Sequence, residues 1–218
     1  MSAISSLSHV VGMFQQDRYP LRLVQLLGGL TLYGVSMAMM VQANLGLDPW
    51  DVLHQGLAPR LGLSFGLTVN LIGLAVLALW LPLRQRPGVG TVLNILVIGT
   101  VTDIALAILP RPDDLLLRFL MLVAGILLNG IAGGAYIGAG LGPGPRDGLM
   151  TGFCRRTGMP VKAVRTAIEL TVLAVGWMLG GTVGLGTVLY AASIGWVVHY
   201  ALPAFTLERR HATPECAG

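Results

Sequence analysis

The sequence predicts an all-helical, polytopic membrane protein: six transmembrane helices in two inverted three-helix repeats, with a short motif helix in each. Three observations carry this expectation. Of 218 residues, 54% are hydrophobic and 11% charged, less than half the roughly 25% charged content of soluble domains, and mean hydropathy is +0.74. Apolar runs recur at the length of about 20 residues that a bilayer-spanning helix needs. Finally, the stretch 43–53 returns, in altered form, at 139–149.

Residues 1–21 read as a cytoplasmic N-terminal segment of mixed polarity. They lack a basic start followed by a small-residue cleavage site, so the first apolar run is expected to be a retained helix and not a signal peptide. The membrane domain is expected over 22–206, with apolar runs at 22–43, 64–83, 89–109, 118–141, 161–180 and 184–203. In lipid the backbone must satisfy its own polar groups, so these runs are helices and not strands. Residues 207–218 form a short polar tail, too small for a domain. With the N-terminus inside, the basic residues fall on the inner side except Arg60, Arg111 and Arg118. That bias predicts cytoplasmic N- and C-termini in a bacterial inner membrane.

The repeat holds at one offset without a gap. Asp51 falls on Asp147, 96 residues later, and Arg22 on Arg118, Gly29 on Gly125, Gly34 on Gly130 and Gly62 on Gly158 at that same spacing. Further on, Gly88-Val89-Gly90-Thr91 falls on Gly184-Leu185-Gly186-Thr187. Repeat 1 covers about 22–110 and repeat 2 about 118–206. Each holds three spans, an odd number, so the second enters the membrane from the opposite side. The first motif is then expected to face outside and the second the cytoplasm, an arrangement recurrent in secondary transporters.

Each motif reads as a helix start. Asp48 or Gly144 stands at the N-cap and Pro49 or Pro145 at the first helical position, where proline's missing N–H does no harm. Asp51 or Asp147 lies in the first turn, favoured by the helix dipole. Two readings are open. Each motif helix is re-entrant and aims its amides at a substrate near the midplane, or each is interfacial, with Trp50 at the headgroup level. Asp48, Trp50, Asp51, Arg146 and Asp147 are the candidate substrate-binding residues. Their carboxylates favour a cationic or zwitterionic ligand, or a proton, over an anion. Arg146 is expected to pair locally with Asp147, holding a ligand carboxylate being the alternative.

Asp103 and Glu169 lie within apolar runs, where an ionisable group is expensive and therefore a functional candidate. They are the candidates for proton or ion coupling. Asp103 has no charged neighbour at helical spacing and is expected to find a partner on another helix, Asn70, Asn94 or Asn129, or a water-filled cavity; Glu169 can pair with Arg165, one turn earlier. His54 follows Asp51 by one turn, and His199 reads as interfacial. Gly130, Gly134 and Gly138, with Gly34 in the first span, form a bare stripe expected to pack the first and fourth spans together near the pseudo-axis.

Enzyme signatures are missing: the sequence holds no H-E-x-x-H helix, G-x-S-x-G elbow, P-loop or paired-Cys motif. Cys154 and Cys216 have no metal-ligand spacing. No catalytic residue, metal or cofactor is expected. An aspartyl hydrolase built from Asp51 and Asp147 is disfavoured, because inversion separates the copies unless both reach the midplane. The basic balance reads as arginines flanking spans and not as a nucleic-acid surface.

The runs Gly46-Leu47-Asp48-Pro49-Trp50-Asp51 through Gly56 and Gly142-Pro143-Gly144-Pro145-Arg146-Asp147 through Gly152, the latter followed by Arg155-Arg156, resemble the YczE/YyaS/YitT group, the YczE branch in particular. The resemblance spans about Arg22 to Pro203. It implies a bacterial multi-pass inner-membrane protein and brings no residue-level mechanism. The expected function is a small-solute transporter or channel with its pathway between the repeats. The competing expectation is a non-transporting protein that binds a partner through the basic face at 146–165. Partners are the lipid bilayer and a small solute, with a homodimer compatible with the glycine-rich face.

Overall fold

A computed structural model describes residues 19–206. The expectations for the cytoplasmic tail at 207–218, and for all but the end of the segment 1–21, lie outside the described residues. These form nine helices: α1 (Tyr19–Ala43), α2 (Pro49–Leu61), α3 (Phe65–Ala78), α4 (Trp80–Leu83), α5 (Val89–Ile108), α6 (Leu115–Gly138), α7 (Pro145–Thr157), α8 (Val161–Met178) and α9 (Leu185–Phe205).

Local chemistry sets the helix ends. The Asp48 carboxylate accepts from the Trp50 and Asp51 amides to open α2, with Pro49 in the first turn. Ser64 caps α3 through the Leu67 amide, and Asp114 caps α6 through that of Leu117. Each such side chain satisfies an amide that the helix itself leaves orphaned. The starts at Tyr19, Pro49, Phe65 and Val89 recur at Leu115, Pro145, Val161 and Leu185, each 96 residues later.

The molecule is a polytopic helical membrane protein. Five stretches are long and apolar enough to cross a membrane: Tyr19–Ala43, Phe65–Leu83, Val89–Ile108, Leu115–Gly138 and Leu185–Phe205. α8 has 18 residues, but Lys162, Arg165 and Glu169 lower its hydropathy.

α1 and α6 cross at the centre. Gly29 lets α1 approach α6 so closely that a methyl group there would stand 2.8 Å from the Tyr136 amide nitrogen; one on Gly125 would stand 2.9 Å from Met40. Arg118, at the start of α6, donates to Ala43 O at 2.8 Å and Asn44 O at 2.6 Å, at the end of α1. The two helices therefore run antiparallel. Leu26, Leu30, Met37, Leu122 and Ile126 fill the core around them.

The bare stripe does not lie in this seam. Gly34 meets Ile98 and Val101 of α5, while Gly130 meets Ile194 and Val197, Gly134 meets Ala201 and Gly138 meets Phe205, all of α9. Small residues every four positions define one helix face, but not which neighbour that face receives. Here the seam uses Gly29 and Gly125, and the stripe seats the flanking helices.

The loops before the motif helices interlock the two halves. Leu45 O accepts from the Gly186 amide at 2.8 Å, and Leu141 O from the Gly90 amide at 2.9 Å. Gly46 and Gly142 have φ of +110° and +128°, which L side chains rarely adopt. A Cβ at either would also run into Gly184 or Gly88.

The outer helices are packed unequally. α3 lies on α5 at Gly66 and Gly99, and Asp103 of α5 accepts from the Gly66 amide at 2.7 Å and from the Ser64 hydroxyl. The expected asparagine partners of Asp103 are thus replaced by the start of α3, whose orphan amide and capping hydroxyl are donors suited to a carboxylate. α8 lies on α2 instead, where Gly56 faces the Gly176 carbonyl and Gly176 the Leu53 amide. It does not close on α9, since a Cβ on Gly195 would meet nothing within 4 Å.

Candidate functional site

The starts of α2 and α7 meet at one cavity of about 110 Å³. From α2 come Asp48, Pro49, Trp50 and His54; from α7 and its cap come Gly144, Pro145, Arg146 and Asp147. Tyr33 and Tyr136 of the central helices, Asn94 of α5, Arg165 and Glu169 of α8 and Tyr190 of α9 complete the polar lining, and Ile72, Val76 and Ile95 supply part of the apolar one. α7 is anchored there by Trp80, whose indole N–H donates to Pro145 O at 3.0 Å and whose ring leaves Gly148 no room for a side chain.

The charges join across the halves. Arg146 lies 3.9 Å from Asp51 and stacks over Trp50, its guanidinium carbon 4.8 Å from the ring centre. The expected pairing with Asp147 is therefore not formed; Asp147 accepts from the Tyr136 hydroxyl at 2.8 Å. The indole face and a fully buried carboxylate from α2 together hold the planar guanidinium better than its own helix could. Trp50, only 6% exposed, is packed inside the molecule and not presented on its surface.

Asp51 also contacts His54 Nδ1 at 3.1 Å, and both residues are buried. Asp48 spends Oδ1 on the two amides it caps. Its Oδ2, the second oxygen of Asp51 and the Trp50 indole N–H are buried without a hydrogen-bond partner. Leaving such groups unpaired is costly in a low-dielectric interior.

Glu169 pairs with Arg165 at 2.8 Å, and both border the cavity. Asp103 does not reach it. Of the basic face at 146–165, Arg146 and Arg165 turn to the cavity and Arg156 donates to Pro82 O. A cleft of about 440 Å³, lined mainly by α6 and α9 with Arg165 from α8, shares Tyr33, Tyr136, Asp147, Arg165 and Tyr190 with the cavity and continues to Val198, His199 and Leu202. Cys154 is a buried thiol, and the described residues hold no cluster of metal-binding side chains.

Sequence reasoning missed Tyr33, Tyr136, Tyr190 and the place of Asn94 in the site. A signal existed. At the 96-residue offset Tyr33 falls on Asn129 and Asn94 on Tyr190, so polar side chains recur inside apolar runs. In the structure the Tyr190 hydroxyl donates to Asn129 at 2.9 Å, and Asn129 donates to Ser36 at 2.9 Å.

The model of a family of unknown function, DUF6198, matches residues 20–203. An uncharacterized protein of Haemophilus influenzae is 44% identical over 177 residues, 81% of each chain. The uncharacterized membrane protein YczE of Bacillus subtilis is 37% identical over 172 residues, 78% of this chain and 80% of its own. YyaS of the same organism is 23% identical over 179 residues, 80% of this chain and 89% of its own. No solved structure matches. The chain, with its two glycine- and proline-bearing motif helices set around one cavity, belongs to the DUF6198 family within the YczE, YyaS and YitT group of membrane proteins.

Proposed function

We propose that the protein is a small-solute transporter of six spans in two inverted three-helix repeats, with its pathway between them and both termini cytoplasmic. The observation that carries this reading is the shared cavity, on which charged side chains from both motifs converge. Asp48, Trp50, Asp51, Arg146 and Asp147 form the solute site. No bond-making chemistry is assigned to them. α8 is the sixth span, and its Arg165–Glu169 pair lowers the cost of placing two ionisable groups beside the cavity. That pair makes Glu169 the better coupling candidate, while Asp103 serves as a clasp between α3 and α5.

The unequal packing of the outer helices supports alternating access. At the repeat offset Gly99 corresponds to Gly195, and Asp103 to His199. The first set is closed against α3; the second lines an open cleft. With the orientation set by the arginine bias, the molecule is open to the cytoplasm and closed to the outside. Inverted repeats exchange such conformations between halves during transport.

The test uses Asn94→Cys in a Cys154→Ser, Cys216→Ser background, labelled with membrane-impermeant thiol reagents from each side of the membrane. Labelling from both sides is expected for a population that exchanges between the two openings. Reactivity confined to a single side in every condition, or blocked on both, would instead support the partner-binding reading.

A further inference from the structure

The transporter reading leaves the solute open. Resting on that reading, we propose that the cavity takes a compact organic cation, its ammonium group held at Asp48 and faced by the tyrosine rings.

Asp48 is 2% exposed and borders the cavity. One oxygen is occupied by the α2 cap, and the other has no hydrogen-bond partner. Arg146 acts on Asp48 through space without satisfying that oxygen, so the buried carboxyl calls for a donor from a ligand.

Arg165 and Glu169 balance each other at 2.8 Å. Of the remaining groups on the cavity, Asp48 and Asp147 are acidic and Arg146 is basic, with Arg146 also engaged by Asp51 behind the wall and by Trp50. Burial pushes the Asp48 carboxyl up to about 7, so it is poised between acid and carboxylate. A bound cation favours the carboxylate, whereas an anion opposes it, and a low-dielectric site makes that difference large.

Tyr33, Tyr136 and Tyr190 border the same space as Asp48, with Tyr33 and Tyr136 set edge to face at 5.9 Å. Aromatic faces together with a carboxylate form the recognition chemistry of ammonium ligands. The molecule already uses it once, in the guanidinium of Arg146 stacked on Trp50. The cavity of about 110 Å³ is smaller than the roughly 150 Å³ that accepts one benzene, so methylammonium fits it more easily than the bulkier tetramethylammonium.

The experiment is titration calorimetry on the full chain in nanodiscs, with tetramethylammonium chloride and methylammonium chloride as probes and sodium chloride and sodium acetate as controls. Saturable binding of at least one ammonium is expected, with acetate inert. Asp48→Asn keeps a good N-cap, so the variant folds, and it is expected to weaken binding at least tenfold. Tyr33→Phe retains the ring and is expected to stay within twofold of wild type, whereas Tyr33→Leu loses severalfold. Absence of ammonium binding by folded protein, or binding indifferent to Asp48→Asn, overturns the proposal. So does an Asp48-dependent response to acidification alone, which would assign a proton to the site. Flux measured separately in proteoliposomes keeps the two readings apart. Ammonium binding without ammonium flux retains the cation site and removes the transporter, and flux of another solute class without ammonium binding does the reverse.

Discussion

Arg146 shows how one side chain ties the halves together. It leaves α7, covers Trp50 and reaches Asp51 of α2, so its deletion strips a fully buried carboxylate of its nearest cation. Arg146→Ala is expected to destabilise by about 1–2 kcal/mol, the range for a largely desolvated cation–π contact, read as a lower unfolding midpoint in detergent micelles. The larger loss seen for deeply buried ion pairs does not apply to a guanidinium that is 25% exposed and 3.9 Å from its partner. Arg146→Lys restores the charge without the planar stack and is expected to recover part of the loss. A midpoint for Arg146→Ala equal to wild type would show that the contact has no structural weight. The sequence placed Arg146 beside Asp147 because adjacent opposite charges pair when nothing better is near. What it could not show was the indole and carboxylate arriving from the other half. Asp103 was misplaced for the same reason, since its partner is the capped start of α3 and not a polar residue inside a span.

At the scale of helices, the sequence was informative about ends and offset and silent about neighbours. Pro49 and Pro145 begin their helices as read from the motif, and the repeat spacing carries into every helix start except that of α4. Face assignment needs a partner, so the stripe of Gly130, Gly134 and Gly138 was assigned to the wrong helix. Adjacent glycines separate the two requirements. A methyl group on Gly29 meets α6 backbone at 2.8 Å, whereas one on Gly28 meets nothing within 4 Å. Gly29→Ala is therefore expected to cost about 1–3 kcal/mol through overpacking of the central seam. Gly28→Ala, at an open helical position, is expected to stabilise by up to about 1 kcal/mol. Thermal unfolding of the two variants side by side checks this, and equal midpoints would contradict the close approach of α1 and α6.

Taken as a whole, the molecule combines a symmetric interlock with one asymmetric contact. In the interlock Leu45 to Gly186 and Leu141 to Gly90 are the same hydrogen bond made twice, and neither half has its own copy without the other. The outer contact is made in one half only, since Gly66 and Gly99 are pressed together while Gly195 faces open space. If transport exchanges these states, holding α3 on α5 must stop it without touching the site. Cysteines at Ser64 and Asp103, written Ser64→Cys and Asp103→Cys in a background lacking Cys154 and Cys216, place a short bifunctional thiosulfonate across the closed end. Cross-linked protein in proteoliposomes is expected to lose solute flux, with recovery on reduction, while a third cysteine at Val198 in the open cleft still labels from the cytoplasmic side. Flux that survives quantitative cross-linking would mean that α3 and α5 need not separate. The asymmetry would then be a fixed feature of this fold and not one of two states, because a pathway that works with one end held shut cannot alternate between two openings.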